Sequence, residues 1–96
     1  MKNFYVPYSG PKPAVVSING HKLVILAQDA DALKHDLALV GGDHLKRIDA
    51  GESPEEERVV LDRLAKSVQG GVVIAPTEVE VEDVIRNLEA ELPWIQ

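Results

Sequence analysis

Between residues 14 and 27 two apolar runs, Ala14-Val15-Val16-Ser17-Ile18 and Lys22-Leu23-Val24-Ile25-Leu26, flank Asn19-Gly20. Asn-Gly tolerates the two positive φ angles of a type I′ turn, so a β-hairpin is predicted. Leu23 to Ala27 is apolar on both alternating faces, whereas a strand with one wet face is polar at every second position. The second strand is therefore predicted to be central. Further on, Ala30, Leu33, Leu37 and Val40 recur at spacings of three and four, which predicts a helix over 30–40. Asp29 or Asp31 would cap it and Gly41 would take the left-handed closing position.

His44 to Ile48 is short and polar and reads as an edge strand. Ser53-Pro54-Glu55-Glu56 then combines an N-cap serine, proline at the first helical position and a glutamate at the third. Val60, Leu61, Leu64 and Val68 supply the buried face of that second helix, Lys66 sits in its last turn, and Gly70 is read as its stop. Val72 to Ala75 is a buried strand, four apolar residues ahead of Pro76 and rich in β-branching. The last segment carries two periods. Val79 and Val81 alternate with glutamates, while Val81, Val84, Ile85, Leu88 and Leu92 follow helical spacing. Thr77 with Glu80 forms a second capping box, so a third helix is predicted over 78–91, ended by Pro93; the alternative starts it at Glu82.

The order hairpin-helix-strand-helix-strand-helix predicts an α/β or α+β fold, a mixed sheet of about four strands packed with three helices. The pattern does not say whether the helices cover one sheet face or both. Pro7, Pro11, Pro13 and Gly10 crowd the first 13 residues, a composition that favours an extended arm over a central strand. The expected organisation is an arm over 1–13 and one domain over 14–96.

Composition changes the picture only at the margins. With 45% hydrophobic and 27% charged residues, a 96-residue chain is an ordinary globular domain. A net charge of −6 disfavours a general nucleic-acid binder. Charge is uneven, with Lys2, Lys12 and Lys22 and no acid in residues 1–28, but six acids and only Arg86 in 77–96. Such complementary ends would favour head-to-tail or swapped dimers. Cysteine is absent, which removes disulfides, thiol nucleophiles and thiolate metal sites and is compatible with a reducing cytoplasm. No run of apolar residues is long enough for a signal-peptide core or a membrane span, so a soluble cytoplasmic protein is expected, with no membrane partner.

Candidate chemistry is sparse. Gly41-Gly42 and Gly70-Gly71 each follow a helix, whereas a phosphate loop needs glycines that open one. Asp31 and His35 lie one turn apart, yet no third ligand is identifiable and no metal or cofactor is expected. Ser9, Ser17, Ser53 and Ser67 have no base and orienting group at recognisable spacing. The informative distribution is that of the aromatics, with Phe4, Tyr5 and Tyr8 near the start, Trp94 near the end and none between.

Aromatic ends can close an aliphatic core or form a docking patch. The leading expectation is thus a non-catalytic interaction, adaptor or regulatory domain. It would bind another protein or itself, as a homodimer, through Phe4, Tyr5, Tyr8 and Trp94. The alternative is a small-molecule-binding protein or enzyme with a pocket at strand C-termini, lined by Asp29 and Thr77. A lesser alternative is single-stranded nucleic acid stacked on the basic aromatic arm.

Overall fold

The computed structural model describes residues 2–95. Asn3–Ser9 forms β1, Lys12–Pro13 β2, Val16–Ile18 β3, His21–Ala27 β4, His44–Asp49 β5 and Gly71–Ala75 β6; the α-helices are Pro54–Val68 (α1) and Val81–Glu91 (α2). All six strands share one mixed sheet, in which β4 and β6 run parallel and every other pair is antiparallel. The through-going order is β5-β1-β4-β6. Between β1 and β4 lies the 12–18 segment, which pairs with β1 as β2 and then with β4 as β3.

The hairpin across Asn19-Gly20 forms as expected, with φ of 54° and 87° at those two residues. β4 is central. Leu23 and Ala27 each pair on both sides, and all five residues from Leu23 to Ala27 are buried. Its alternating side chains enter two cores. Ile25 and Ala27 join Leu33, Val40, Val81 and Val84 beneath α2, whereas Val24 and Leu26 join Phe4, Val6 and Leu64 beneath α1. The helices thus cover opposite faces of the sheet.

Three expectations are corrected. Among the described residues there are two α-helices rather than three, because the 30–40 segment is two short 3-10 turns, Ala30–Ala32 and Leu37–Val40, separated by residues 33–36. Its apolar stripe still works, since Leu33 and Val40 are fully buried. Asp29, Asp31, His35 and Asp36 are poor helix formers, and Asp36 sits at φ −127°, ψ 30°, outside helical geometry. The sheet has six strands rather than about four, because the proline-rich arm is extended and built into it as β1 and β2. Finally, α2 begins at Val81, not 78, after a turn closed by the Val79 amide on the Pro76 carbonyl; its cap position is Glu80 and Thr77 makes no cap.

α1 starts where the sequence places it, with Ser53 Oγ accepting from the Glu56 amide at 3.2 Å. Its stop differs. Gln69 takes the left-handed position at φ 55°, and Gly70 serves a different purpose at the strand crossing.

Candidate functional site

The four aromatics do not form one surface. Phe4 is 1% exposed and packs among Val6, Val24, Leu26 and Leu64, so its ring is core and presents nothing to a partner. Tyr5 and Tyr8 lie on opposite faces of β1 because side chains alternate along a strand. Tyr8 faces α1 and is dressed by β5, with the His44 ring at 5.8 Å and Lys46 Nζ 5.2 Å from its centroid. Tyr5, half-buried, pairs between Arg47 and Ala27. With Phe4 buried and the tyrosines divided, no continuous stacking face exists on β1 for single-stranded nucleic acid.

Trp94 is different. It is 74% exposed, and Ile95 beside it is 56% exposed. The backbone that carries them is nevertheless tied down on both sides of the indole. His21 Nε2 donates to the Pro93 carbonyl at 2.7 Å, and the Ile95 amide donates to the Asn19 carbonyl at 3.0 Å. Asn19 Nδ2 also donates to the carbonyls of Glu89 and Leu92, at 2.9 and 2.8 Å, satisfying groups that the end of α2 leaves without intrahelical partners. One hairpin turn therefore closes β3 onto β4, caps α2 and fixes the chain on either side of Trp94. The Asn-Gly dipeptide signals the turn, but its capping of a helix some seventy residues away leaves no local trace in the sequence.

An open cleft of about 620 Å³ lies beyond the C-terminal end of β4. Lys2, Tyr5, Gln28, Ser53 and Glu57 line it, and Lys2 Nζ reaches Glu57 Oε2 at 3.0 Å across its wall. Asp29 and Thr77 do not line it. Asp29 caps the first 3-10 turn by accepting from the Asp31 amide at 2.9 Å, and Thr77 lies exposed in the Pro76–Val79 turn. Gln28 was within reach of sequence reasoning as the residue after a buried strand. Lys2 and Glu57 were not, since a pair 55 residues apart leaves no periodic signal.

Among the described residues, the titratable groups with displaced pKa values are Asp31, Lys34 and Asp43, all exposed and hydrogen-bonded to a neighbouring side chain. Asp31 is held below the usual carboxylate range by its hydrogen bond and charge interaction with Lys34, which is raised in return. Lys34, not His35, is thus the partner of Asp31. Asp43 is lowered first by the hydrogen bond from His44 Nδ1 and then by the Gly10 amide, a tie between the β1–β2 turn and the start of β5. These groups are stabilised as solvated ions rather than poised for proton transfer. Among the described residues no cluster of three potential metal ligands occurs, and no helix is long and apolar enough to cross a membrane.

No family model, curated protein or solved structure matches the chain.

Proposed function

We propose that this chain is a non-catalytic protein-interaction module, a small adaptor or regulatory domain that docks another polypeptide through the surface bearing Trp94 and Ile95. The observation that carries this reading is an indole 74% exposed on a backbone pinned at Pro93 and Ile95. Exposing so large an apolar ring forgoes the stabilisation that burial provides, and holding its backbone in advance lowers the entropy cost of docking. Tryptophan is also among the residue types most enriched in interface hot spots. A cytoplasmic location fits a chain without cysteine.

The test is Trp94→Ala, followed by native mass spectrometry of protein purified under mild conditions from its source. The variant is expected to lose the associated chain while its unfolding free energy stays within about 0.5 kcal/mol of the parent, as for other exposed substitutions. Retention of the same complex by the variant overturns the reading.

A second reading, a small polar ligand, is favoured by the cleft at the end of β4, where a cation, a carboxylate, a phenol and an amide converge. It predicts a stoichiometric small-molecule adduct on the source-purified protein that is lost in Lys2→Ala. An adduct-free parent sinks it.

A further inference from the structure

The two outer edges of the sheet are built differently. β5 pairs only with β1, and its sequence, His44-Leu45-Lys46-Arg47-Ile48-Asp49, places ionisable side chains along the free edge. Charged edges resist addition of a further strand. β6 pairs only with β4, and its sequence is Gly71-Val72-Val73-Ile74-Ala75, with no charge, proline or bulge. Among the described residues its outward peptide groups have no partner. Ile74, 39% exposed, lies on this edge. An uncharged, unpaired, β-branched edge is the arrangement that strand addition exploits.

We infer that β6 pairs antiparallel with β6 of a second copy of this chain across a two-fold axis, joining two six-stranded sheets into one. Two observations single out this occupant. First, α1 contacts both β4 and β6 and therefore lies above the outermost strand pair. With strands spaced at about 4.8 Å, pairing β6 with its copy sets α1 and its copy about 10 Å apart, the distance at which helices pack. Second, α1 carries Glu55 in its first turn and Lys66 in its last, both exposed and both off the flank that faces β5. The two-fold makes the neighbouring helices antiparallel, so each acidic start faces the other copy's basic end and the helix dipoles oppose.

The flank that would face the copy is suitable for close approach. Val60, Arg63 and Ser67 line a groove against β5. By the 100° helical step the opposite flank holds Arg58, Leu61 and Ala65, of which Leu61 and Ala65 are half-buried. A two-fold pair also closes on itself, whereas β6 against the charged β5 of the next copy would propagate as a filament. The pairing in this way replaces the head-to-tail contact that the charge of the chain ends alone would favour.

This inference rests on the interaction reading only in treating the chain as one that associates, and it uses a different surface from Trp94. The test is light scattering after size exclusion, over a dilution series, on the full chain, Ile74→Lys and Trp94→Ala. The parent is expected at twice 10.5 kDa at high concentration and to dissociate on dilution. Ile74→Lys is expected at the monomer mass throughout with an unchanged circular dichroism spectrum, and Trp94→Ala to dimerise like the parent. A parent that is monomeric at every concentration, or a dimer that survives Ile74→Lys but not Trp94→Ala, overturns the pairing while leaving the Trp94 reading to its own test.

Should Ile74→Lys not fold, a nitroxide on Ile74→Cys, the sole thiol in a chain without cysteine, supplies the second measurement. The antiparallel pair places the two Cα atoms about 8–12 Å apart. Strong dipolar broadening that vanishes on dilution with unlabelled chain is expected. Its absence at dimer-forming concentration overturns the pairing.

Discussion

Phe4→Ala is expected to lower the free energy of unfolding by about 3–5 kcal/mol, the cost of deleting a large core aromatic. Phe4 is 1% exposed, stands opposite Ile48 across the β1–β5 ladder, and packs against Val24 and Leu26 of the central strand and Leu64 of α1. Its ring therefore bridges β4, β5 and α1, elements far apart in sequence, and the space left by truncation is enclosed. Domains of this size are stable by only about 5–15 kcal/mol, so the variant forfeits a large share of the total. Urea denaturation checks this through a fall in the midpoint at constant slope. A loss below about 1 kcal/mol, together with weakened association, would instead return Phe4 to the docking role expected of an aromatic arm.

The misplacement of Phe4 has a specific physical origin, Pro7. A proline inside a run argues against a central strand because it has no amide to give to the ladder. β1 nonetheless has neighbours on both sides, with Tyr5 paired to Arg47 and Ala27, and Tyr8 to His44 and Pro13. The Pro7 carbonyl accepts from the Ala14 amide at 2.8 Å, on the side of β1 away from β5. Amide and carbonyl of one strand residue point the same way, so the missing donor also faces that side. It falls between Tyr5, where β4 is the neighbour, and Tyr8, where β2 takes over. No bond to β5 is lost.

Elements specified within a few residues were legible: the Asn19-Gly20 turn, the doubly apolar β4, the Ser53 cap of α1, the apolar β6. The 30–40 segment was half legible. Hydrophobic spacing identified Leu33 and Val40 as core, but burial of a stripe at intervals of three and four is met by two tight turns as well as by one helix. At α2 both periods were present because both operate in part. Val79 packs against the core from the preceding turn, and the helical repeat takes over only from Val81.

The candidate site was least legible. Trp94 stood out by rarity, yet what holds it outward comes from Asn19 and His21, whose nearest sequence neighbours say only that a turn is present. Sequence could nominate the ring but not its support. The same division applies to β6, where apolar composition marked a buried strand and only the topology exposes one edge of it.

Gly70→Ala is expected to destabilise by about 3 kcal/mol, at or beyond the upper end of ordinary overpacking, while Gly71→Ala next to it should change stability by less than about 1 kcal/mol. Gly70 does not adopt a positive φ, so its requirement is spatial. A Cβ there would stand 2.0 Å from the Lys22 carbonyl oxygen and 2.8 Å from its carbonyl carbon, both backbone atoms at the start of β4. No rotamer change relieves such a contact. The chain must instead move where it enters the β4–β6 parallel ladder, at the Leu23–Gly71 pair. At Gly71 the nearest atom to an added Cβ is Leu23 Cδ2 at 3.2 Å, the far end of a side chain that can shift by a few tenths of an ångström. Both substitutions reduce the freedom of the unfolded chain alike, which leaves the native clash as the difference between them. Parallel denaturation curves measure that difference directly. Equal stabilities would mean that α1 hands the chain to β6 without the close crossing at Lys22, and that Gly70 does only what a helix terminator does.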